Sequence, residues 1–240
     1  MNTFVELWTY LSTTPLFGLT ATLSVYVLAH AFYQRVRQAP WANPVLWSVV
    51  TLALLLSLTH TAYPTYFSGA QFIHVLLGPA VVALGWPLWQ RRVELVLRWR
   101  PLLLASLVGG AAAAGSAVVL GWALELPADV LRSLAPKSVT APVAMGIAER
   151  LGGIPALAAV MAVVTGLVGA LSAKPLFALL GVGSTPTDWQ ARGFALGTAS
   201  HGIGAARAMQ VNADAGAYAG LALGLQAVLA SVLMPLVAGW

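Results

Sequence analysis

Long stretches without a single charged side chain constrain this sequence more than anything else in it. Residues 16–33, 102–124 and 215–237 contain no Asp, Glu, Lys or Arg. A helix that crosses a bilayer needs about 20 predominantly apolar residues, and each of these runs is close to that length. Composition closes off the alternative of a soluble fold. Only 8% of residues are charged and 59% are hydrophobic, whereas a soluble domain carries about a quarter charged residues with which to face water. Further apolar runs lie at 45–62, 67–89, 126–147, 156–171 and 193–209. Together they predict an all-α, polytopic transmembrane helical bundle of about eight segments, forming one transmembrane domain over residues 1–240.

The basic residues read as a topology signal. Arg35 and Arg37 close the first run, and Arg91, Arg92, Arg98 and Arg100 lie between the third and fourth, while the loop between these two groups has no Lys or Arg. The positive-inside rule puts both groups in the cytoplasm and the N-terminus outside. No basic patch or arm points to nucleic acid, despite the formal charge of +5. With no cysteine there is no disulfide, thiolate nucleophile or zinc–sulfur site. HExxH, GxSxG and P-loop motifs are absent, so neither an enzyme nor a metal or other cofactor is expected.

Proline and glycine inside apolar segments mark where the chemistry belongs. Backbone groups freed by a helix break must face protein or a watery cavity, and the ends of broken helices are common anion sites in transporters. Pro136 interrupts the segment at 126–147, Lys137 adds a positive charge, and Ser138 or Thr140 can cap the helix that follows, with Pro142 in its first turn. Lys137 and Thr140 are three apart and share a face if the backbone there is helical. A second constellation holds Thr198, Ser200, His201 and Arg207 with Gly202 and Gly204. His201 and Arg207 are six residues apart and reach one ligand only if the glycines break the helix. The alternative is that the glycines serve tight packing and a neighbouring carbonyl satisfies His201. The stretch 193–209 is either a full crossing or re-entrant. Gly78 and Pro79 resemble a third break without a charge. His30, His60 and His74 read as packing or interface residues, and Glu149 and Arg150 as an interfacial pair on the cytoplasmic side.

These motifs resemble the LrgB/CidB family of bacterial inner-membrane proteins. The resemblance is carried by Leu77-Gly78-Pro79-Ala80, Pro136-Lys137-Ser138-Val139-Thr140, Gly152-Gly153-Ile154-Pro155 and Gly197-Thr198-Ala199-Ser200-His201-Gly202-Ile203-Gly204. Ala141 and Ala205 stand where the family often has Thr. The family is described as holin-like or antiholin-like regulators of murein hydrolase and autolysis. It also includes a plastid glycolate/glycerate translocator and members implicated in pyruvate transport. The resemblance therefore implies a multi-pass inner-membrane carrier of a small organic anion, a monocarboxylate. It also implies a separate LrgA/CidA-like small membrane protein as partner, and homo-oligomerisation is expected. The rival reading is a lysis regulator that oligomerises in the bilayer.

Overall fold

The computed structural model describes residues 15–76, 79, 82–83 and 85–237. They group into two compact units, Met1–Ala80 and Val81–Trp240. In the first unit, α1 (Pro15–Arg35), a 3₁₀ turn (Pro40–Ala42), α2 (Pro44–Leu58) and α3 (Tyr63–Val75) follow one another. Asn43 caps α2, its Oδ1 accepting from the amides of Val45 and Leu46, with Pro44 in the first helical position, where its missing N–H costs nothing. Gly18 of α1 lies so close to the backbone of Tyr66 and Ala70 in α3 that a Cβ would collide there, and the hydroxyls of Thr22 and Tyr66 are 2.7 Å apart. Gly78 lies outside the described residues, while Pro79 is exposed.

The second unit holds the short helices α4 (Gly85–Gln90) and α5 (Arg92–Leu97), then α6 (Trp99–Ala123), α7 (Ala128–Leu134), α8 (Ala141–Leu151), α9 (Pro155–Leu179), α10 (Pro186–Val211) and α11 (Ala213–Val237). Helices α6 and α11 run parallel: Leu102 packs with Tyr218, Leu221 and Ala222, Ser106 meets Gln226, and Val118 and Met234 line one cavity. Helix α9 runs the other way. Its Gly169 lies against Ser200 and its Gly166 against His201, while Phe177 packs near Leu196.

Two segments fold back instead of crossing. Leu131 and Leu134 of α7 pack at Gly121, near the end of α6. After the loop 135–140, α8 returns to the same end, where Gly153 lies against Ser133 and the Ile154 amide donates to Ser133 Oγ at 2.7 Å. We call 128–151 hairpin 1. Helix α10 reverses at His201, whose φ of 40° and ψ of −134° are not helical. Leu196 and Ala208, which a straight helix would hold about 18 Å apart, share one cluster with Ala215 and Ala219, and Gly204 lies against the carbonyl of Leu196. Gly193 and Met209 both come to the start of α11, at Ala215 and Gly216. Helix α10 is hairpin 2, and it enters from the end opposite to hairpin 1.

The all-α membrane bundle expected from the sequence is thus what forms, with a different count. Among the described residues four helices are long and apolar enough to cross a membrane, Leu16–Arg35, Trp99–Ala123, Pro155–Leu179 and Ala213–Leu236, and α2 is a shorter apolar helix. The run at 126–147 is not a crossing, because its break leaves arms of 7 and 11 residues, about 10 and 16 Å against a hydrocarbon core of about 30 Å. The stretch 193–209 takes the re-entrant of its two expected forms.

Packing in this unit is inverted relative to a soluble protein. Ala144, Ala148, Ala158, Ala162, Ala219 and Ala222 are fully buried, whereas Leu104, Val108, Val119, Val164, Val168 and Val232 are exposed. Small residues let helix backbones approach where lipid removes the hydrophobic drive to associate, and the large side chains are left to the acyl chains.

Candidate functional site: two hairpin tips

Hairpin 1 turns through an open loop. Pro136 is fully buried and brings no amide of its own, and around it the Lys137 amide donates to Leu134 O at 3.1 Å and the Val139 amide to Pro136 O at 3.0 Å. Lys137 is half-buried, with Nζ 3.5 Å from Ser138 Oγ. Among the described residues it has no carboxylate partner. A cation at the tip of a hairpin set among membrane-spanning helices is costly unless something anionic or watery meets it. Thr140 occupies the N-cap of α8 with extended backbone (ψ 141°), but its side chain makes no capping bond. The cap expected of Ser138 or Thr140 is therefore not made, and the first amides of α8 lack a side-chain acceptor. Pro142 sits inside the first turn, where it starts the helix rather than breaking it.

Hairpin 2 turns on a single residue. The break expected around Gly202 falls on His201, and a Cβ added at Gly202 would meet nothing within 4 Å. Gly204, by contrast, is needed, since a Cβ there would come within 2.6 Å of Leu196 O. In the first arm Gly193 and Gly197 press directly on the carbonyls of Ala215 and Ala219 in α11, leaving no room for a side chain. His201 is buried, and its Nε2 lies 2.7 Å from Ala162 O. A carbonyl only accepts, so this nitrogen carries the proton. The packing alternative thus holds for Gly197 and Gly204, which make close contacts, but not for Gly202, and a neighbouring carbonyl satisfies the imidazole. Thr198 and Ser200 are buried beside it with hydroxyls that find no partner among the described residues.

Helix α9 gathers the two tips at one level. Ala162 packs with Ala144, one turn into α8, and its carbonyl accepts the hydrogen bond from His201 Nε2. Of the residues singled out from sequence, Lys137, Ser138 and Thr140 lie in one tip and Thr198, Ser200 and His201 in the other. Arg207 is not brought to them. It lies further along the returning arm, with Nη1 3.4 Å from Gln210 Oε1.

Two polar residues that sequence reading passed over complete the neighbourhood. Gln226 of α11 donates from Nε2 to Ser106 O at 2.8 Å, and both side chains are buried. They adjoin the Gly109-Gly110 step of α6: the Gln226 amide lies about where a Gly110 side chain would go, and Thr198 Cγ2 is 2.8 Å from the Cβ position of Gly109. Gln226 is the one amide side chain in the uncharged run 215–237, which was a usable signal. Ser106 left none.

The LrgB-like family profile matches residues 22–240, a span that includes both hairpins. The chain belongs to the LrgB-like family. It is 33% identical over 216 residues to the uncharacterised protein YxaC of Bacillus subtilis, covering 90% of this chain and 92% of that protein. It is 30% identical over 213 residues to the holin-like protein CidB of Staphylococcus aureus strain Mu50, covering 87% and 91% respectively. An uncharacterised protein of Haemophilus influenzae is 32% identical over 195 residues, or 81% and 83% of the two chains. No solved structure matches. Family membership and the apolar spans together make this a multi-pass membrane protein.

Proposed function

We propose that this LrgB-like protein is a carrier of small monocarboxylates of the pyruvate, glycolate or glycerate class. The observation that carries the reading is the pair of opposed hairpins with tips gathered on α9, one bearing a half-buried Lys137 that has no carboxylate partner among the described residues, beside an uncapped helix start. Re-entrant backbone inside a membrane is tolerated where it lines a cavity or is buried in protein, and a cation with free amides suits a carboxylate. Lys137, Ser138 and Thr140 are assigned to the carboxylate, with Thr198, Ser200 and His201 enclosing it from the other tip. Arg207 is assigned to anchoring the returning arm.

The charge distribution supports an orientation. Arg91, Arg92, Arg98, Arg100, Lys174, Arg192 and Arg207 gather towards one end of the second unit, whereas the other holds Arg132 and Arg150 against Glu125, Asp129 and Glu149. By the positive-inside rule the first end faces the cytoplasm of a bacterial inner membrane. Hairpin 1 then enters from outside and hairpin 2 from inside, which moves Glu149 and Arg150 from the expected cytoplasmic side to the outer one.

A second reading is favoured by the relatives named holin-like: a regulator of lysis that acts by assembling in the membrane, with or without a small membrane partner. One experiment separates the two. Purified protein in proteoliposomes is offered labelled pyruvate and glycolate, with Lys137→Ala and His201→Ala in parallel and an entrapped dye to report leakage. Saturable uptake that falls at least about tenfold in Lys137→Ala, the loss of about one charged hydrogen bond, supports the carrier. Equal leakage of unrelated solutes in all three proteins sinks it and leaves the holin-like reading.

A further inference from the structure

A cavity of about 470 Å³ lies between α6, α11 and hairpin 1. Its walls are aliphatic or bare backbone, among them Ala114, Gly115 and Val118 of α6 and Leu229 and Leu233 of α11, and its polar members are Ser106 and Gln226. From Ser106 to Val118 the α6 wall runs roughly 18 Å, so the space is long and narrow. Its inner end is chemically unlike the rest. Ser106 is 1% exposed and its Oγ has no partner among the described residues, while Gln226 uses Nε2 on the Ser106 carbonyl. A buried hydroxyl left unpaired is a standing cost. A water would need two to four polar partners to settle there, and the walls offer almost none.

We propose that this cavity binds a medium-chain fatty acid, its carboxyl hydrogen-bonded by Ser106 Oγ and the Gln226 amide and its chain extended along α6 and α11 towards Val118 and Met234. The length matches an extended chain of about twelve carbons. Depth selects a free acid over a phospholipid. Ser106 lies about 10 Å into α6, below the level at which glycerolipid ester oxygens sit, whereas a free acid reaches that depth in its neutral form. Neutral partners at the inner end suit a neutral carboxyl. The apolar walls favour each methylene that leaves water.

Displacement of a fluorescent undecanoic acid analogue from the purified full-length protein tests this directly. Across octanoic, decanoic and dodecanoic acids, affinity is expected to rise by about fourfold per methylene. Gly115→Leu is the decisive variant: a Cβ at Gly115 meets nothing within 4 Å, so the side chain fills the groove without disturbing the fold. It should weaken dodecanoic acid at least tenfold with an unchanged Tm, and Ser106→Ala should weaken all three acids alike. Affinity independent of chain length, or a Gly115→Leu protein that binds dodecanoic acid as the parent does, overturns the proposal. Displacement by diheptanoyl phosphatidylcholine but by none of the acids also overturns it, assigning the groove to a lipid chain. The readout is binding and not uptake, so it stands or falls separately from the carrier reading.

Discussion

The two hairpins solve one problem by opposite means. Hairpin 1 reverses over a six-residue loop, 135–140, in which Pro136 deletes an amide and Thr140 caps nothing, and it leaves a cation at its tip. Hairpin 2 reverses on His201 alone, with a capping box at its base, where Thr185 and Asp188 bond each other's backbone amides. Glycine contacts seal its arms. One tip gives up local order and exposes charge and donors; the other gives up freedom of sequence and is closed. On the carrier reading, the contrast gives the charged contact with the ligand to the first tip and a rigid enclosing wall to the second.

The sharpest way to break this comparison is topological, and the cysteine-free chain makes it clean. Glu149→Cys and Arg98→Cys should react with an impermeant maleimide from opposite faces of the membrane; labelling from the same face would make 126–147 a crossing and hairpin 1 an error. Next in size is the seal of hairpin 2. Gly197→Leu must displace the Ala219 carbonyl and is expected to cost about 3 kcal/mol in detergent unfolding, whereas Gly202→Ala, facing open space, should be neutral or slightly stabilising. His201→Ala should cost about 2 kcal/mol through the lost bond to Ala162 and lost packing, and His201→Gly about 1 kcal/mol less because the positive φ is relieved. Thr185→Ala should cost about 1 kcal/mol and Thr140→Ala nearly nothing, although Thr140→Ala should slow uptake. Equal costs would erase the distinction between a capped and an uncapped start.

The smallest effect concerns the short helix below the hairpins. Burial pushes the Glu94 carboxyl up, but the nearby Tyr218 hydroxyl, the hydrogen bond from Arg91 and the charges of Arg91 and Arg98 outweigh it and hold the group below its ordinary 4.5. A depressed folded value stabilises above 4.5 and is lost as pH falls through it. Stability should therefore decline slightly in mild acid, and Glu94→Gln should flatten that decline by less than about 1 kcal/mol.

Both breaks were legible in the sequence, because proline, glycine and charge are costly inside an apolar run and persist there where the helix is interrupted. Their direction was not. Whether 126–147 crosses or returns depends on where the break divides the run and on Ser133 meeting Ile154, a contact between residues far apart in the chain. Hairpin 2 likewise needed Leu196 beside Ala208 to be seen, although its glycines hinted at close backbones. Ser106 gains meaning only from Gln226, 120 positions later, because α6 and α11 happen to run side by side in one direction.

That the tips approach from opposite ends has an electrical consequence. On the carrier reading proposed above, a solute anion held between them would have passed part of the membrane voltage whichever side it came from, and would have the remainder still to pass. Moving one elementary charge through the whole field is worth about 2.3 kcal/mol per 100 mV, so a midpoint site divides this into two steps of about 1 kcal/mol each. Occupancy of such a site from the outside would weaken as the cell interior becomes more negative, and release to the inside would be driven uphill unless Lys137 travels with its ligand as a neutral pair.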